Sequence, residues 1–254
     1  MAARKINKVL ISQPEPANGK SPYYELGEKY NVEFSFRPFI RVEGLTSKEF
    51  RQQRINILDY SAVVMTSRTA IDHFFTLAEE LKISIPDTMK YFCLSEAIAL
   101  YLQKYIVYRK RRIFFSQTGK IAGLDAPLTK HCKEKVLIPV PEEHNEDVQN
   151  FLASKNIDFT TSVMYRTVSN DYEEGETLDT DMILFFSPLG VSSLLKNFPD
   201  FEQGDMGIGC FGAGTAKVIE DNGLRIDCLA PQPEFPSMTM ALDDFLKRNH
   251  KKHS

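Results

Sequence analysis

The sequence predicts an α/β protein built from two doubly wound, parallel-sheet lobes, and three observations lead there. The chain has 254 residues, room for two domains of roughly 100 to 150 residues each. Apolar runs of four to six residues alternate with helical stretches, the pattern of βαβ units feeding a parallel sheet. The chain also nearly repeats itself, which points to one lobe plan used twice.

The repeat is clearest between the stretches opening at Lys8 and at Lys135, both of which read Lys-Val-Leu-Ile. Each run ends in a proline-bearing loop, Ser12-Gln13-Pro14-Glu15 in one copy and Pro139-Val140-Pro141-Glu142 in the other. A helical stretch comes next, through Leu26 toward Tyr30 and through Leu152 toward Asn156. Val32-Glu33-Phe34 then answers Ile157-Asp158-Phe159 as the next strand, so the offset stays at 125 to 127 residues. Ala62 to Ser67 leads into a helix over Thr69 to Leu81, as Met182 to Ser187 leads into one over Gly190 to Phe198, at an offset of 120. Tyr91 to Ser95 opens a helix through Leu102, as Ile208 to Gly212 opens one through Asn222, at an offset of about 117. Any single pair could be a coincidence of short apolar strands. Four pairs in the same order argue for a duplication.

Composition sets the class. With 43% hydrophobic and 26% charged residues, 13 Gly and 13 Pro, the chain can bury a core and fits neither a disordered nor a collagen-like type. The longest uncharged apolar run, Met182 to Leu195, is 14 residues and is interrupted by Ser187, Pro188 and Gly190, short of the roughly 20 a bilayer helix needs. No membrane association is expected. Arg4, Lys5 and Lys8 are followed by no apolar signal-peptide core, so export is not expected either. A balance of 31 basic against 34 acidic residues argues against nucleic-acid binding by general electrostatics. Cys93, Cys132, Cys210 and Cys228 are widely spaced and form no C-x-x-C pair, which reads as reduced thiols of a cytoplasmic protein. His73, His131, His144, His250 and His253 show no metal-ligand spacing, so no metal is expected, and the basic tail from Lys247 is expected to fray. No G-x-S-x-G elbow supports a catalytic serine.

In doubly wound sheets, ligands bind beyond the carboxyl ends of the strands, where loops turn into helix N-termini. That rule singles out Ser12 to Pro16, Thr66 to Thr69, Ser95 to Ala97, Pro139 to His144, Ser187 to Gly190 and Gly212 to Thr215. Ser187 is placed to cap a helix whose first position is Pro188, leaving free N–H groups and a positive dipole end for a carboxylate or phosphate. A serine that merely caps its helix would look the same. Thr66-Ser67-Arg68 has the same logic, with Arg68 able to add a bidentate anion contact or simply to lie in solvent. Gly212, Gly214 and Thr215 form a glycine-lined helix start, but Lys217 stands where a dinucleotide fingerprint needs its third glycine. The basic run Arg109 to Arg112 suits a cation-protected strand edge better than an anion site.

Taken in order, these pieces resemble the uroporphyrinogen-III synthase family. The resemblance rests on Val9-Leu10-Ile11 with Pro14, Val63-Val64-Met65-Thr66-Ser67 with Ala70 and Ile71, and Val163-Met164-Tyr165-Arg166-Thr167. It continues through Phe185-Phe186-Ser187-Pro188 with Gly190-Val191, Gly212-Ala213-Gly214-Thr215-Ala216 with Gly223, and Ala230 with Pro233, covering residues 8 to about 247. The resemblance implies two lobes joined by a two-stranded linker. Residues 1–38 plus 169–254 would form the outer lobe and 42–164 the inner one, with crossings near 38–42 and 165–168.

It also implies the reaction: linear hydroxymethylbilane closes to uroporphyrinogen III with loss of water and inversion of ring D, as a hydro-lyase of tetrapyrrole and haem biosynthesis that needs no cofactor. Tyr165 matches the family's cleft tyrosine and is the expected catalytic residue. Thr66, Ser67, Arg68, Ser95, Ser187, Pro188, Gly212, Gly214 and Thr215 are the expected substrate contacts. A monomer is expected, in transient contact with the bilane-forming deaminase. Two departures stand out. Ser95-Glu96-Ala97-Ile98-Ala99 lacks the family's threonine, and Pro141-Glu142-Glu143-His144-Asn145 brings acids toward a site for an octa-anion, which Arg68 or the Arg109 to Arg112 run would have to offset. A non-catalytic two-lobed binding protein for an anionic small molecule is the alternative, with a nucleotide-dependent transferase third.

Overall fold

The computed structural model describes residues 5–17, 19–173 and 175–253. In chain order its elements are β1 (Lys8–Ile11), α1 (Pro22–Tyr30), β2 (Glu33–Phe36), β3 (Ile40–Gly44), α2 (Ser47–Gln52), β4 (Ala62–Met65), α3 (Arg68–Glu80), β5 (Lys90–Cys93) and α4 (Glu96–Tyr101). They continue with β6 (Ile113–Phe115), α5 (Asp125–Lys130), β7 (Val136–Pro141), α6 (Asp147–Ser154), β8 (Phe159–Ser169), β9 (Met182–Phe185), α7 (Pro188–Asn197), β10 (Gly207–Phe211), α8 (Ala213–Asp221), β11 (Cys228–Ala230) and α9 (Met238–His253). The chain divides into two compact units, 1–41 with 168–254, and 42–167.

The first unit holds a five-stranded sheet in the order β11-β10-β9-β1-β2, parallel throughout. The second is built on a six-stranded sheet in the order β3-β8-β7-β4-β5-β6, parallel from β8 to β6. At its far edge β3 runs against β8, as the bonds from Leu45 N–H to Met164 O and from Asn170 N–H to Phe39 O require. The duplicated segments occupy matching places: β1, β2, β9 and β10 stand in the first sheet as β7, β8, β4 and β5 stand in the second. The fold is therefore the expected α/β type with two parallel-dominated sheets.

Burial explains why these short runs are strands. Ala62-Val63-Val64-Met65 and Met182-Ile183-Leu184-Phe185 are each buried at every position, as strands must be when helices cover both faces of a parallel sheet. One face of the first sheet packs Val9, Ile11 and Leu184 with Leu242 and Leu246 of α9, while the other packs Leu10, Ile183 and Phe185 with Val191, Leu194 and Ile219. Each such side chain contributes about 1.5–3 kcal/mol by burial, against about 1 kcal/mol for a helix cap, so packing and not capping holds the units together.

The tail does not fray from Lys247 as its charge suggested: α9 continues to His253, and Asn249 accepts a hydrogen bond from Ile6 N–H at 3.0 Å, tying the helix to the chain just before β1. Cys93, Cys210 and Cys228 are buried and Cys132 exposed, all as free thiols. Burial pushes Cys93 and Cys228 to about 12 and Cys210 to about 11, so the buried thiols stay protonated.

Close packing in the first sheet makes a test. A Cβ on Gly209 would stand 2.5 Å from Leu184 Cδ2 and 3.1 Å from the Met182 methyl. Gly209→Ala should lower stability by about 1–3 kcal/mol, read as a fall in the denaturant midpoint; an unchanged midpoint would mean the sheet relaxes freely.

Candidate active site

Strands β4, β5, β6 and β7 all end on one side of the second unit, and a cavity of about 710 Å³ opens there. The loops at those strand ends make its wall: Thr66 and Ser67 after β4, Leu94 after β5, Gly119 to Ala122 after β6, and Glu143 to Asn145 after β7. Tyr165 of β8 and the first turn of α6 complete it. This is where a doubly wound sheet places a ligand.

Tyr165 reaches the cavity through an irregularity in β8. Val140 of β7 pairs with Val163, but the next residue, Pro141, pairs with Tyr165, so Met164 is the extra residue of a β-bulge. Regular alternation would send Met164 and Tyr165 to opposite faces; the bulge turns both into one core, at 1% and 7% exposure. Burial raises the Tyr165 phenol above its ordinary value of 10, an effect only partly opposed by the neighbouring Ser67 hydroxyl. The group is therefore a protonated donor at neutral pH. The next residue, Arg166, anchors the strand by pairing with Glu43 of β3 at 2.9 Å and Glu49 of α2 at 2.8 Å.

The expected serines are helix caps with nearly identical backbones. Ser67, Ser95 and Ser187 are extended, and their hydroxyls accept from Ala70 N–H at 3.0 Å, Ile98 N–H at 3.3 Å and Gly190 N–H at 3.2 Å. Pro188 is the first residue of α7, as the sequence suggested. In the first unit Gly212 caps α8 with a φ of +90°, a conformation that favours glycine. A Cβ on Gly214 would lie 3.7 Å from Pro188 Cγ, so the starts of α7 and α8 adjoin, and Thr215 is buried in the first turn of α8. Capping leaves the other first-turn N–H groups of α7 and α8 free to meet an anion.

The structure gathers Thr66, Ser67 and Tyr165 on one cavity in the second unit, and Ser187, Pro188, Gly212, Gly214 and Thr215 side by side in the first. Ser95 and Arg68 do not line the cavity; the Arg68 guanidinium lies 5.4 Å from the centre of the Tyr101 ring. Arg109 and Arg112 line a different pocket of about 40 Å³ at the amino ends of β5 and β6, next to the edge strand. Neither shares the cavity wall with the acids of the β7 loop, of which Glu143 lines the cavity and Glu142 does not.

The wall also carries residues the sequence did not single out. Lys120 lines the cavity together with Glu143, Asp147, Asn145 and Gln149. His144 lies in a loop the strand-end rule had flagged; its Nδ1–H donates to Pro141 O at 2.8 Å, leaving Nε2 for a ligand. The signal for Lys120 was present, a polar Gly119-Lys120 turn after the apolar Ile113-Phe114-Phe115, but it belongs to no repeated pair. Among the described residues no three His, Cys, Asp or Glu side chains gather as metal ligands would, and no helix is long and apolar enough to cross a membrane.

Two parallel-dominated sheets with helix starts at their strand ends, and a cavity there lined by hydroxyls and a tyrosine, define a two-unit α/β protein without a nucleotide fingerprint. The family profile described as uroporphyrinogen-III synthase HemD matches residues 21–240, and the chain belongs to that family of lyases in haem biosynthesis. It is 25% identical over 246 residues to the uroporphyrinogen-III synthase of Schizosaccharomyces pombe, a match spanning 90% of this chain and 93% of that protein. In fold it is similar to the crystal structure of uroporphyrinogen-III synthetase from Helicobacter pylori, with a TM-score of 0.55, 17% identity, and 96% and 100% of the two chains covered.

The anchor of β8 carries a pH signature. Hydrogen bonds from the Thr46 hydroxyl and backbone, then from Arg166, hold Glu49 at about 2 against an ordinary 4.5. Between those values the unfolded chain binds the extra proton, so stability rises with pH across the window and is lost as pH falls toward 2. Glu49→Gln should lower the melting temperature above pH 5, with the gap to wild type closing toward pH 2. A gap that stays constant with pH would contradict the assignment.

Proposed function

We propose that this chain converts hydroxymethylbilane to uroporphyrinogen III, with inversion of ring D and loss of water, and that Tyr165 is its proton donor. The observation that carries the assignment of Tyr165 is its place on the wall of the strand-end cavity, with the Ser67 hydroxyl beside its phenol. Departure of the ring A hydroxyl breaks a C–O bond, and a phenol proton delivered to that oxygen lets it leave as water. The phenolate left behind is stabilised by the Ser67 hydroxyl and regains a proton later in the cycle. The rest of the catalysis is positional: bound carboxylates fold the bilane so that its ends meet, and preorganised N–H groups replace the water they lose.

In this reading the units serve as the two lobes, outer (1–38 with 169–254) and inner (42–164), with linker crossings near 38–42 and 165–168. The carboxylate-binding groups in this reading are Ser187, Pro188, Gly212, Gly214 and Thr215 in the first unit and Thr66 and Ser67 in the second; Arg68 and Ser95, expected with the second group, stand off the cavity wall. Lys120 joins the second group, because a cavity containing Glu143 and Asp147 would otherwise repel an octa-anion. The enzyme works without a cofactor, as a monomer in the cytoplasm, and meets the bilane-forming deaminase only transiently, long enough to take over an unstable substrate.

Two measurements test this. With porphobilinogen and a bilane-forming deaminase supplied, the oxidised product should be mainly uroporphyrin III; isomer I alone, the product of uncatalysed closure, would refute the reading. Tyr165→Phe should lower kcat about 100-fold, whereas Lys120→Met should raise KM several-fold with kcat unchanged. A fall in kcat without a change in KM for Lys120→Met would remove Lys120 from the binding group.

A further inference from the structure

One helix grips Tyr165 at two points. Ser67, the N-cap of α3, lies by the phenol. Two turns along the same helix, His73 stacks on the tyrosine ring, with centroids 5.0 Å apart and planes 15° from parallel. Strand β3 closes on the imidazole as well: a Cβ on Gly44 would stand 2.9 Å from His73 Nδ1. The histidine ring thus has strand β3 against its nitrogen and the Tyr165 ring against its face. Burial lowers its affinity for a proton, against the pull of Asp72, which suits an uncharged ring packed flat on a phenol.

We propose that His73 is a positioning residue for the reaction: wedged between Gly44 and the Tyr165 ring, it fixes the direction in which the Tyr165 hydroxyl enters the cavity. The inference rests on the reading of Tyr165 as proton donor. The bulge in β8 brings the tyrosine backbone to the cavity but leaves the torsions of its side chain to be set by packing. A flat partner along the ring face restricts both, and His73 is such a partner. The requirement is sharp, because a reacting group misplaced by about 1 Å can cost about 100-fold in rate. The same contact accounts for Gly44, since a Cβ there would crowd the imidazole and force it to shift.

The test combines steady-state kinetics with the 13Cζ-tyrosine NMR spectrum of the intact protein, in which the Tyr165 signal is the one lost in Tyr165→Phe. His73→Ala should lower kcat about 10-fold with KM unchanged, and shift or broaden the Tyr165 signal. His73→Phe, which keeps a flat ring, should restore both. Gly44→Ala should lower kcat in the wild-type background and add nothing in the His73→Ala background, because its effect passes through the imidazole. His73→Ala with wild-type kcat and an unmoved Tyr165 signal overturns the inference. If His73→Ala fails to fold, Gly44→Ala decides alone: a wild-type kcat and an unmoved signal overturn it, a lowered kcat and a shifted signal support it. Tyr165→Phe with the wild-type rate overturns the donor reading and this inference together. That result is distinct from failure of this inference alone, in which Tyr165→Phe is slow and His73→Ala is not.

Discussion

Parallel strands cannot be joined by a tight turn, so the chain must cross back over the sheet between one strand and the next, and in this protein most of those crossings are helices. The placement of every ligand-ready group depends on that constraint. Crossings on both faces bury strands such as Ala62–Met65 and Met182–Phe185 completely. They also make every parallel strand of a unit end on the same side, so that α3 and α4 begin together in one unit and α7 and α8 in the other. Uncompensated N–H groups collect there without any residue being chosen for charge. A chain of net charge -3 can thereby offer anion sites that its composition does not advertise.

The tyrosine departs from that regularity. A regular β8 could not turn both Met164 and Tyr165 into one core, and the bulge opposite Val140 and Pro141 does so. The ladder is locally disrupted as a result, steadied on one side by the Arg166 pairs with Glu43 and Glu49 and on the other by the stack on His73. Burial then sets the chemistry. A phenol in water is already protonated at neutral pH, and burial moves its titration further away, so the group stays protonated.

The duplication shows which features belong to the scaffold and which to one unit. Ser67 and Ser187 sit at matching strand ends, with the same cap and the same extended backbone. Ser95 and Gly212 also match in position, yet one caps through its hydroxyl and the other bends through a positive φ, giving two ways to start a helix at the same point. The cavity with Tyr165 and Lys120 has grown on the second unit's version of the plan, where β3 adds an edge strand beside β8. A shared fold thus carries unlike end groups in its two units.

Fold class, the alternation of strands and helices, the helix caps at Ser67 and Ser187, and the expectation placed on Tyr165 were all legible in the sequence. Each is recorded locally, in a hydrophobic run, a small residue at its end, a proline at the next position, or a family landmark around Tyr165. The tertiary structure alone decided which of those ends share a cavity. Ser95 and Arg68 carry the same local marks as Thr66 and Ser67 but do not line it, and Arg109 to Arg112 precede an edge strand at the opposite end. Lys120 is marked only by a polar turn outside the repeated pairs, and His73, inside a helix, by nothing. Each meets Tyr165 only in the folded chain, from 45 and 92 residues away in sequence: Lys120 on the same cavity wall and His73 by stacking. Strand periodicity states which face a side chain takes, but a bulge resets it and a neighbour across the sheet fills it, and both depend on register between distant strands.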